Sequence, residues 1–134
     1  MRMAAFLLLA GWLAAPARTV AAPAPEEAYR GADRALLEQV RDKFSSATGS
    51  AAATAELVAL LDDRLPADRA EWPAIFQAYR ASLEGLTGKH SRKPWEKYVR
   101  VKNGLARFSG LAEMHPGSIE IRALRFAFCH HLPE

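Results

Sequence analysis

The chain has 134 residues, half of them hydrophobic and a quarter charged, which is enough apolar material for one core and points to one domain. A single cysteine, Cys129, excludes an internal disulfide, and no Cys-x-x-Cys-His motif is present to attach haem. The formal net charge of +3 invites a nucleic-acid reading, but two of the basic residues, Arg2 and Arg18, fall in a segment that reads as a leader.

That leader is "MRMAAFLLLAGWLAAPARTVAAPAPEE". A positive start, a greasy middle from Ala4 to Ala15 and a run of small residues are the layout of a secretory signal peptide. The apolar run is about 12 residues, short of the ~20 that a helix needs to cross a bilayer. Cleavage is expected after Ala17 or Ala21, with residues 1–21 taken as the leader. No cysteine lies near the cleavage zone, so a lipid anchor is not expected. The mature protein is then exported, to the periplasm or beyond. Without residues 1–21, 16 basic side chains face 15 acidic ones, a net of +1, and no overall attraction to nucleic acid is left. What charge there is lies unevenly: residues 22–88 carry a net of −4, and Lys89 to Arg107 a net of +6.

Residues 22–27 read as a disordered Ala/Pro spacer, and 28–134 as one helical domain. The first helix is predicted from about Ala28 to Ser45, with Leu36, Leu37, Val40 and Phe44 at helical spacing. Ser50 is a candidate N-cap for a second helix over Ala51–Leu65, which Pro66 ends. Asp68 and Glu71 have capping-box spacing ahead of Pro73, and the third helix should run to about Leu86. "GLTGKHS" then reads as a turn with two glycines. Pro94 opens a fourth helix whose stripe is Trp95, Tyr98, Val101, Leu105, Phe108 and Leu111, placing Trp95 and Tyr98 in the core. After "HPGS", Ser118 caps a fifth helix that reaches about His131. Short loops between amphipathic helices predict an all-α stack of antiparallel hairpins.

The stretch from Phe76 to Pro133 resembles a family of small, uncharacterised bacterial proteins, many of them exported. The similarity rests on Tyr79 and Ala81, on His90, Pro94 and Lys97, and on Pro116, Glu120, Arg122, Leu124 and Arg125. The same stretch is similar in shape to a tetratricopeptide hairpin, because Pro116 followed by a new helix is how such repeats join. The resemblance carries no activity to transfer.

Several clusters could hold chemistry. Cys129, His130 and His131 offer metal-friendly atoms, but adjacent residues on a helix point about 100° apart and cannot share one ion. Cys129 and His130 are thus weak metal candidates, and no cofactor is expected. Between Phe126, Phe128 and Leu132, Cys129 is expected to be buried. Asp62 and Asp63 diverge in the same way, and there is no Gly-x-Ser-x-Gly elbow or phosphate loop, so a non-catalytic protein is predicted. The basic segment is the strongest binding candidate, with Lys89, Lys93, Lys97 and Arg100 as its members and Arg125 joining from the last helix. Arg122 is expected to be buried in an ion pair, since so apolar a helix must hide one face.

Two function classes follow. One is a helical module of the cell envelope that holds a protein or peptide partner, with homodimerisation through the last helix as one way to cover its apolar flank. The other is an anion-binding envelope protein that uses the Lys89–Arg107 surface. An enzyme or metal-binding protein is the least supported alternative. Intact-mass measurement of the exported protein checks the leader: the mature chain is expected to begin at Arg18 or Ala22.

Overall fold

Gly31 sets where the first helix begins. Its φ of 73° lies in the left-handed region, where only glycine is at ease, so no helix can run through it from Ala28. The computed structural model describes residues 24–130, and the helix begins instead at Arg34. Asp33 caps it, its Oδ1 accepting from the Leu36 amide at 3.1 Å. The expectation of a disordered spacer over 22–27 meets a different finding at its end: Pro25–Tyr29 form a 3-10 turn, and Ala28 is fully buried.

The α1 helix spans Arg34–Gly49, four residues past the expected end. The hydroxyls of "SSATG" stay within the helix; Thr48 Oγ1 donates to the Ser45 carbonyl at 2.7 Å. Ser50 alone separates α1 from α2, Ala51–Arg64, and its Oγ accepts from the Ala53 amide at 3.2 Å, as the cap reading required. Thr54 Oγ1 braces this corner, 2.7 Å from the Ala47 carbonyl. Asp68 caps only a 3-10 turn, Arg69–Glu71, and not the next helix. Trp72 is buried beside that turn and donates its indole N–H to the Pro66 carbonyl at 2.7 Å.

The α3 helix, Ala74–His90, is the centre of the molecule. It packs against α1, α2, α4 and α5, and Ile75, Phe76, Ala78, Ala81 and Leu83 are all fully buried. The α4 helix spans Pro94–Met114 and α5 spans Ile119–His130. Every α-helix and 3-10 turn is accounted for by this all-α arrangement, and no strand occurs among the described residues. Among those residues no helix is long and apolar enough to cross a membrane. The leader reading over 1–21, with His131 and the rest of the C-terminal tail, lies outside the described residues.

The glycines of "GLTGKHS" do not make a turn. Gly85 and Gly88 lie inside α3 because something else needs their missing side chains. A Cβ on Gly85 would stand 2.0 Å from the Phe128 ring of α5, and one on Gly104 of α4 would stand 2.7 Å from it. The ring therefore seats between two helices at two glycines, tilted against Phe108 with centroids 5.4 Å apart. Gly88 similarly admits Arg100, whose Cβ would approach an added Cβ at 3.1 Å.

Position thus decides the effect of Gly→Ala in these helices. Gly110, with open space around it, should gain up to about 1 kcal/mol of stability on substitution by alanine, the ordinary helix-propensity difference. Gly85→Ala should lose stability, because overpacking costs about 1–3 kcal/mol and a 2.0 Å approach belongs at the severe end of that range. Urea unfolding of the two variants should therefore shift the midpoint in opposite directions.

Candidate functional site

Five helices leave three polar or open features worth weighing: a carboxylate node, a mixed-charge groove and an apolar pocket.

The node is Glu120, in the first turn of α5. Tyr79 Oη donates to its Oε1 at 2.6 Å and Tyr29 Oη to its Oε2 at 2.8 Å. Arg41 spans both oxygens, Nε to Oε1 at 2.9 Å and Nη2 to Oε2 at 2.5 Å. This is the two-pronged geometry that guanidinium and carboxylate favour. Burial by itself would raise the Glu120 pKa, but the hydrogen bonds from Arg41, Tyr79 and Tyr29 outweigh it and hold the carboxyl below its usual range. Burial and the neighbouring carboxylate push both tyrosines up, so they stay protonated donors. All four hydrogen-bonding contacts go to structural partners, and they tie the 3-10 turn, α1 and α3 to α5.

The groove runs between α2 and the α3–α4 corner, with a volume of about 670 Å³. Its charges are already matched. Arg80 lies 3.6 Å from Asp62 and 3.6 Å from Glu84, and Arg100 lies 3.7 Å from the same Glu84. Among the described residues Arg80 is the buried arginine. Burial, then the nearby Arg69, lowers its pKa, while Asp62 and Glu84 act in the opposite direction. Arg122, expected in that role, is exposed: α5 turns Ile121, Leu124 and Phe128 inward, and residue 122 falls on the opposite side.

The pocket, about 440 Å³, opens where α1, α3, α4 and α5 meet. Phe44, Leu86, Leu124 and Phe128 supply apolar wall. Lys89 and Lys97 line it as well, together with His130, and among the described residues no carboxylate does. Lys89 Nζ donates to the Thr48 carbonyl at 3.1 Å, where α1 ends. Half-buried Lys97 makes no ion pair among the described residues. Ser82, 4% exposed, sits in the wall and its Oγ has no hydrogen-bond partner.

The basic segment is therefore divided rather than presented as one surface. Lys89 and Lys97 meet at the pocket, Arg100 faces the groove, and Lys93 pairs with Glu96 at 3.2 Å. Arg125 lies exposed on α5 and lines neither cavity. Lys93, Lys97 and Arg100 do share one side of α4, but that side is turned towards α3, with Gly104 and Phe108.

The opposite side of α4 carries what was expected in the core. Trp95 is 64% and Tyr98 68% exposed, with Val99 beside them. The reason is the stripe's spacing. Its steps are mostly of three residues, each lagging the helix by about 60°, so a line that ends inward at Leu111 begins outward at Trp95. Cys129 is likewise exposed and not buried, because the inward positions of α5 are taken by Leu124 and Phe128. The apolar residues expected to cover the last helix on every side divide too, with Ile119 82% and Phe126 74% exposed. No group of three or more metal-ligating side chains comes together among the described residues.

No protein-family model, curated protein or solved structure matches this chain.

Glu120→Gln keeps the shape of the node and removes its charge. Charge-assisted hydrogen bonds contribute about 1.5–3 kcal/mol, so the variant should be destabilised by that order in chemical unfolding at neutral pH. Because the folded carboxyl titrates below its ordinary value, its stabilisation is present above about pH 4.3 and is lost as pH falls through the folded value. The native protein should therefore lose stability on acidification, and the gap between it and the glutamine variant should close.

Proposed function

We propose that this protein is a non-catalytic helical module of the bacterial cell envelope, exported by its leader, that holds a protein or peptide partner on α4. The observation that carries this reading is the outward face of Trp95, Tyr98 and Val99, more than half exposed at both aromatics. Large aromatics left in water are costly in a free protein and are the side chains that most often anchor an interface. Exposed Arg92 and Lys102 fall on the same side of the helix, which suits an acidic segment with an apolar centre. The hairpins α1–α2 and α3–α4, followed by α5, support a tetratricopeptide-like stack, a scaffold that presents helix faces to extended partners.

A second reading is an anion-binding envelope protein. Its support is narrower than the whole Lys89–Arg107 run: it is the convergence of Lys89 and Lys97 on one pocket that no acid lines among the described residues. Homodimerisation through α5 has Ile119 and Phe126 as its exposed apolar pair.

The first reading is tested by comparing proteins captured from envelope extract by the native chain and by Trp95→Ala/Tyr98→Ala. A partner held by the native chain should be retained at least tenfold less by the double variant, and retention should fall only modestly as salt rises. Equal capture by both chains would overturn the assignment to α4.

A further inference from the structure

Building on the anion-binding reading, we infer that the pocket between α1, α3, α4 and α5 is a binding site for a single-chain aliphatic carboxylate, a ligand of the fatty-acid class. Its size falls within the range of small-ligand sites, about 300–1,000 Å³, and at about 440 Å³ it suits one chain better than a two-chain lipid. Leu86, Leu124 and Phe128, all buried, give the wall its apolar character. An aliphatic tail there loses water without stranding a polar group.

The charge in the lining has one sign. Lys89 comes from α3 and Lys97 from α4, and no Asp or Glu among the described residues joins them. A cation beside an apolar wall is stabilised by a counter-charge. Where cations gather at the groove and the node the protein supplies one: Arg80 and Arg100 have Glu84, and Arg41 has Glu120. Lys97 has none among the described residues, and a carboxylate arriving with the ligand completes the pattern. Ser82 adds a buried hydroxyl with no partner in the same wall. Such a group in an otherwise apolar lining is a feature of ligand sites, where a few polar atoms set orientation.

The pocket differs from the α4 docking face in position and in chemistry. Trp95 and Tyr98 do not line it, so a failure of one site leaves the other standing.

The test is calorimetric titration of the full mature chain with octanoate, decanoate and dodecanoate. One ligand should bind per chain, and affinity should rise about fourfold for each added methylene. Dodecanol, with the same tail and no charge, should bind at least tenfold more weakly than dodecanoate. Lys97→Gln, at the half-exposed rim, should keep the fold by circular dichroism and lose most of that tenfold preference. Val101→Trp, which narrows the pocket, should abolish binding, while Trp95→Ala/Tyr98→Ala should leave it unchanged. If inorganic phosphate binds as tightly as dodecanoate, the lysines read anions without an acyl site; the inference is overturned and the anion reading stands. If neither binds, both are lost.

Discussion

The seating of one ring, Phe128, between Gly85 and Gly104 governs how this protein closes. Without those two glycines the α5 helix could not approach the α3–α4 pair, since any Cβ would collide with the ring. The cost is conformational, because glycine within a helix forgoes roughly 1 kcal/mol relative to alanine at each position. It is recovered in the burial of an aromatic side chain against Phe108 and in the closure of the core over α3. The same ring is a wall of the apolar pocket. Packing and the candidate ligand site thus depend on one contact.

The sequence made the architecture legible and left its surfaces unread. The bounds of α2, the start of α4 at Pro94 and the cap at Ser50 follow from local chemistry that neighbouring helices do not alter. Ser118 belongs with them, its Oγ lying 3.4 Å from the Ile121 amide at the start of α5. Gly85 and Gly88 were misread because a glycine that ends a helix and a glycine that admits a neighbour look alike along a chain. Only the partner, here Phe128 or Arg100, tells them apart, and it lies far away in sequence.

Trp95, Tyr98 and Cys129 illustrate the second kind of loss. Apolar residues at intervals of three or four satisfy a helical pattern even when the line they form winds around the helix. Hydrophobic character then suggests burial where geometry gives exposure. The charged residues were harder still. Nothing local marks Glu120, because its partners Tyr29, Arg41 and Tyr79 come from three other elements. No sequence pattern marks Arg80, which lies buried and is balanced by Asp62 and Glu84.

The tyrosine bonds to Glu120 have a mechanical side. Tyr29 belongs to the first described turn and Glu120 to the last helix, 91 residues apart, so the two ends of the fold are fastened at a single carboxylate. Tension that draws the turn at Pro25–Tyr29 away from α5 loads that carboxylate. The fold is closed like a clasped loop.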